Sequence, residues 1–157
     1  MIKVSVPDVN AIKSQVQKEL NKLITNKFVT VGIHEDAGQH EGGISNAQLG
    51  AVLHYGTIDG DIPARPWLDV GVASGNKEYV SIITNGVEQE LPPEQILNQL
   101  GVIAVSNAQM YMTQLKTPPN APSTIEQKGS SNPLIDTGVL RSGITYKITD
   151  QKPQEGI

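Results

Sequence analysis

The chain contains no cysteine. That absence excludes a disulfide framework and any thiolate-bound metal centre, and it fits synthesis in a reducing cytoplasm. Aromatic residues are scarce as well, with one tryptophan, one phenylalanine and four tyrosines among 157 residues. Together with a hydrophobic share of 38%, this predicts a small aliphatic core that neighbouring subunits can help to complete. Basic residues are outnumbered, twelve Lys and Arg against sixteen Asp and Glu, for a net charge of -4. Tight sequence-independent binding to nucleic acid draws on clustered cations, so no DNA clamp is expected. No window approaches the roughly 18 uninterrupted apolar residues of a membrane span. The opening MIKVSVPDV lacks the basic region and apolar run of a signal peptide, and the chain reads as soluble.

What is present is organised by periodicity and punctuation. The length predicts one domain, residues 1–150, followed by a polar tail, 151–157. Val9, Ile12, Val16, Leu20, Leu23 and Ile24 recur at helical spacing behind Asp8, a suitable N-cap, and predict an amphipathic first helix. FVTVGI, 28–33, reads as a strand. After a polar loop, Ser45 and Gln48 have the spacing of a capping box for a short helix that Gly56 ends in a left-handed conformation. Pro66 is expected in the first turn of the next helix. Ser74, Gly75 and Asn76 interrupt that helix, which resumes through Tyr79, Val80, Ile83 and Val87 until Pro92. Pro93 starts the longest helix, expected to reach Lys116, with Ile96, Leu100, Ile103, Tyr111 and Leu115 on its buried stripe and Ala104 and Asn107 beside it.

The prolines of TPPNAP end that helix and open an excursion too rich in apolar residues for a plain linker. Ser123 is placed as the cap of a short turn through Lys128. Gly129 to Pro133 form a flexible tip, and Asp136 or Thr137 caps a further turn through Arg141. Gly143 then releases the chain into ITYKIT, in which Ile144, Tyr146 and Ile148 share a face, and this strand is expected to pair with 28–33. The predicted class is α+β: several helices packed on a small antiparallel sheet, with long loops projecting over 34–44, 57–64 and 117–135.

Few residues suggest chemistry. HEDAGQHE, 34–41, gathers imidazoles and carboxylates suited to zinc or manganese, and frames one alternative, a metal-dependent hydrolase using His34, His40 and Glu41. It lacks the fixed helical spacing of a zinc motif, so a solvated loop and no metal are expected. Ser45, His54 and Asp59 supply the members of a triad, yet no G-x-S-x-G elbow accompanies them. His54 is expected to be packed or hydrogen-bonded, and no catalytic residue is assigned. GVASGNK and QKGSS miss the phosphate-loop pattern, so no nucleotide cofactor is expected. Arg65 and Arg141 are the only arginines. Each borders a proline or capping motif where a guanidinium can fork onto a carboxylate or backbone carbonyls, Asp136 being one candidate partner for Arg141.

Taken in order, a strand ending VGI, a helix ending AVLHYGT, then IPARPW (62–67), PPEQILNQLG and finally PLIDTGVLRSGITY (133–146) resemble bacteriophage virion-morphogenesis proteins. These are the tail-completion or neck proteins of the lambda Z-like and Mu-like group, and the resemblance spans residues 25–149. It implies a non-enzymatic, virion-located subunit that forms a ring, commonly a hexamer, where the tail meets the head connector. Its partners would be copies of itself, connector and tail-terminator or tail-tube proteins, and DNA passing through without sequence-specific binding. No membrane and no cofactor are implied. Arg65, Pro66, Trp67, Asp136 and Arg141 are then the candidate interface or clamp residues. A further alternative is an adaptor that folds loop 117–135 on a partner.

Overall fold

The structure, a computed structural model, describes residues 13, 14, 18, 26–39, 43–134 and 138–152. Its elements are β1 (Phe28–Ile33), a 3-10 turn (Glu35–Ala37), α1 (Asn46–Tyr55), α2 (Trp67–Ala73), α3 (Asn76–Glu88), α4 (Pro93–Gln114), α5 (Pro122–Lys128), α6 (Val139–Ser142) and β2 (Ile144–Thr149). These six helices pack with a two-stranded antiparallel sheet among the described residues, an α+β fold. Phe28 faces Thr149 and Ile33 faces Ile144. This register puts Val29, Val31 and Ile33 on the same face as Ile148, Tyr146 and Ile144, and α4 packs against the sheet.

The long helix follows its predicted start, but its buried stripe differs. The buried positions are Ile96, Gly101, Ala104, Ala108 and Met112, whereas Leu100, Ile103 and Tyr111 are only half-buried. The reason is backbone proximity. A Cβ added at Gly71 of α2 would sit 2.8 Å from Ala108 Cα, one at Gly86 of α3 would sit 2.7 Å from Ile96, and one at Gly101 would enter the Tyr146 ring. Small residues let the partners of α4 approach closely, and the large aliphatics flank these contacts. The core cluster gathers around Trp67, Ala108 and Met112, joined by Leu115, Leu134, Leu140 and Ile144.

The local signals hold with adjustments. Ser45 and Gln48 form the reciprocal capping box. Gly56 has a positive φ of 75°, but its ψ of -174° is extended and not left-handed helical. It turns the chain back at a point where a Cβ would lie 2.6 Å from the Ile62 carbonyl. Pro66 is the N-cap of α2 (φ -71°, ψ 63°) and not a first-turn residue. Asn76 is helical, so the interruption is confined to Ser74 and Gly75, and α3 stops at Glu88, ahead of Pro92. The long helix ends at Gln114, where Leu115 turns extended, short of the expected Lys116. Pro122 occupies the first turn of α5 behind Ala121, displacing Ser123 as cap, because its missing N–H costs nothing there.

Some expectations fall outside the described residues: the apolar face of the first helix, His40, Glu41, Asp136, Thr137 and the last five residues of the tail. Lys13, Ser14 and Lys18 are helical and exposed. Among the described residues no helix is long and apolar enough to cross a membrane.

Candidate functional site

The IPARPW corner is built by folding a loop back onto α1. Thr57 N–H donates to the Ile62 carbonyl at 2.9 Å and Ile62 N–H to Thr57 Oγ1 at 3.0 Å. Arg65 N–H then reaches the His54 carbonyl at 3.0 Å and the Leu53 carbonyl at 3.1 Å, at the end of α1. These bonds turn the Arg65 side chain inward, leaving it 2% exposed. Its guanidinium spreads over the start of the excursion. Nε donates to the Pro118 carbonyl at 2.9 Å, and Nη2 to the Pro119 carbonyl at 3.1 Å and to Asn120 Oδ1 at 3.3 Å.

The chemistry of the pairing follows from the residues. Prolines have no N–H, so Pro118 and Pro119 cannot enter a ladder, and their carbonyls are left to an outside donor. A planar fork with five donors fits neighbouring carbonyls where a lysine would reach one. Among the described residues no carboxylate hydrogen-bonds the guanidinium, and burial lowers the Arg65 pKa from its ordinary value. The charge is therefore held by carbonyl dipoles. Trp67 is seated next to it: its N–H bonds the Arg65 carbonyl, and its indole Nε1 donates to the Gly50 carbonyl at 3.2 Å.

The clamped excursion makes one wall of a groove of about 580 Å³. Leu49 and Leu53 of α1 line it as well, as do Ile62, Pro63 and Arg65 of the corner. Pro133, Leu134, Val139 and Leu140 complete the apolar lining. The expected flexible tip at 129–133 is tied down. Gly129 caps α5 in a left-handed conformation, Asn132 Nδ2 donates to the Thr113 carbonyl at 2.8 Å, and Leu134 is buried. Gln39, Asp61, Thr124 and Lys128 also line the groove. Asn46 Nδ2 is spent on the Ala37 carbonyl at 2.8 Å, whereas Asn120 Nδ2 is buried with no hydrogen-bond partner among the described residues.

Of the candidate residues, Arg65 and Trp67 come together with exposed Pro66 between them. Arg141 does not join them. It lies exposed on α6, where its carbonyl accepts from Gln109 Nε2 at 3.1 Å. Its expected partner Asp136 lies outside the described residues. His54 is buried, donating from Nε2 to Asp69 at 3.2 Å while Nδ1 faces the Leu68 N–H at 3.5 Å. Neither Ser45 nor Asp59 is its partner: the Ser45 hydroxyl caps α1 and Asp59 accepts from Asp61 N–H. His34 is held between the strands, Nδ1 against Thr145 Oγ1 at 2.9 Å and Nε2 against Thr30 Oγ1 at 3.2 Å. Burial, then Lys147, lowers its pKa from 6.5. Both ring nitrogens are engaged, and among the described residues no cluster of three or more metal-ligating side chains occurs.

The chain matches no protein-family model, no curated protein and no solved structure. Its functional reading rests on its own residues and their placement. Sequence reasoning missed Asn46 and Asn120.

Proposed function

We propose that the chain is a structural subunit of a phage head–tail junction, a tail-completion or neck protein that joins copies of itself into a ring around a DNA path. One observation carries this reading. The two most specific words of the resemblance are separated by some 70 residues in sequence, yet both contribute to one groove. Ile62, Pro63 and Arg65 of the first line the same groove as Pro133, Leu134, Val139 and Leu140 of the second. Their common product is a concave, mostly apolar surface with an unused buried amide donor at Asn120. That is the chemistry of a seat for another polypeptide, with apolar side chains supplying burial and one donor left for a partner carbonyl.

The ring reading makes the groove one half of a heterologous contact, repeated around the axis until it closes. The net charge of -4 suits a channel that the genome slides through without adhering. No residue is given a catalytic role. The test is electron microscopy of the purified protein together with mass spectrometry of assembled particles. Closed oligomers and incorporation into particles are expected. A chain that stays monomeric at high concentration and is absent from particles would end the proposal.

A further inference from the structure

A row of apolar side chains is left open along α3. Val80, Ile83 and Val87 are 65%, 45% and 37% exposed, and their spacing of three and four residues aligns them along the helix. They lie one position, roughly 100° of turn, beyond Tyr79, Ile82 and Gly86, which are buried or half-buried. Charges bracket the row: Lys77 precedes Val80 by three residues and Glu90 follows Val87 by three, both exposed. Glu90 stands just past the end of α3 with a φ of 54°, a left-handed conformation that strains any side chain and not glycine. Its amide donates to the Val87 carbonyl at 3.0 Å, and that of Leu91 to the Gly86 carbonyl at 2.9 Å, which holds it against the last turn. Among the described residues its carboxylate is in no ion pair.

The groove has the complementary charge. Arg65 and Lys128 line it against one carboxylate, Asp61, in a chain whose net charge is -4. Lys128 is half-buried, and among the described residues its Nζ reaches the Asn132 carbonyl at a long 3.4 Å and no carboxylate. Arg65 has no carboxylate either, and the Asn120 amide beside it leaves Nδ2 without an acceptor because Oδ1 is turned to the guanidinium. We infer that the groove takes α3 of a second copy, with Val80, Ile83 and Val87 on its apolar lining and Glu90 paired with Lys128. Lys77 and Asp61 supply a further pair of opposite sign. A single chain cannot make this contact with itself. Gly86 packs on Ile96 near the start of α4, whereas Asn120 and Lys128 follow its end, and Ile96 and Gln114 are about 27 Å apart along the helix axis. The contact is therefore heterologous and repeats from copy to copy. The inference rests on the ring reading and names the surface that the groove receives.

The test is self-association of the full chain, measured by sedimentation across a concentration series, with melting curves to check that each variant is folded. Glu90→Lys and Lys128→Glu should each raise the dissociation constant between copies by about ten-fold or more, and the double variant should return to within about three-fold of wild type. Glu90→Gly relieves the left-handed backbone, so its melting temperature should rise while its association still weakens, an outcome that a purely structural Glu90 would not give. Ile83→Asp, at an exposed position, should weaken association and keep the wild-type melting curve. Neither of these last two depends on the folding of Lys128→Glu. Association of wild-type strength in the single variants, or a double variant no better than the singles, would overturn the inference and leave the ring reading standing. A wild-type chain that stays monomeric at high concentration would end both.

Discussion

Replacing Arg65 by alanine should release the excursion from the rest of the fold. The side chain is 2% exposed and makes three hydrogen bonds of 2.9, 3.1 and 3.3 Å to the excursion, at Pro118, Pro119 and Asn120, besides a longer one of 3.5 Å to the Pro63 carbonyl. Bonds involving a charged group contribute about 1.5–3 kcal/mol each. Pro118 and Asn120 are half-buried and Pro119 is exposed, so water takes over part of that work and the total falls somewhat below three times the lower bound. The expected loss for Arg65→Ala is therefore about 3–4 kcal/mol. Arg65→Lys, reaching one acceptor as a point charge, should lose about 2 kcal/mol. In urea, with a slope of about 2 kcal/mol per M, the alanine variant's midpoint should fall by about 1.5–2 M. Local release is read by limited trypsinolysis, with cleavage after Lys116 and Lys128 rising well before the core unfolds. A midpoint within about 0.3 M of wild type, equivalent to roughly 0.5 kcal/mol, with unchanged cleavage at both lysines, would refute the clamp.

Three further outcomes are expected. Gly71→Ala should lower the melting temperature by about 3–6 °C, a loss of about 1–2 kcal/mol, because its Cβ meets the Ala108 backbone at 2.8 Å. Gly101→Ala would drive its Cβ into the base of the Tyr146 ring, whose hydroxyl is tied to Asn98, so it should lose at least as much, and an unchanged melting temperature would contradict that packing. The folded protein holds the His34 pKa below 6.5, so His34 contributes stability that is present above 6.5 and is lost as pH falls through the lower folded value. His34→Gln should flatten the stability profile below pH 6.5, as measured by melting temperature from pH 8 to 5, and an unchanged slope would assign that dependence elsewhere. Arg141→Ala, on an exposed helix, should change stability by less than about 0.5 kcal/mol yet reduce particle assembly, and normal infectious particles would count against its interface role.

Much of this fold was legible because its signals are local. The capping box at Ser45 and Gln48, the strand Phe28–Ile33, the proline start of α4 and the glycine before Ile144 each act within a few residues, and each is where its chemistry predicts. The cap of α2 moved by one position and that of α5 by two, from Ser123 to Ala121, because proline can stand on either side of a helix start. The α4 stripe could not be read from periodicity. Size favours Leu100 and Ile103, while burial goes to Gly101, Ala104 and Ala108. Which face a helix buries depends on how closely its neighbours approach, and that is set by Gly71, Gly86 and Tyr146 on other elements.

The candidate site divides in the same way. Composition alone removed thiolate chemistry, and the pairing of Arg65 with a proline corner was visible as a clamp awaiting acceptors. The sequence by itself determined most of the elements, the cap of α1 and the class, because hydrogen bonds and rotamer preferences act between near neighbours along the chain. Only the tertiary structure decided that the acceptors are the carbonyls of Pro118 and Pro119, that His54 answers to Asp69, and that two distant motifs share one groove. Those pairings depend on distances across the chain that no spacing along it encodes.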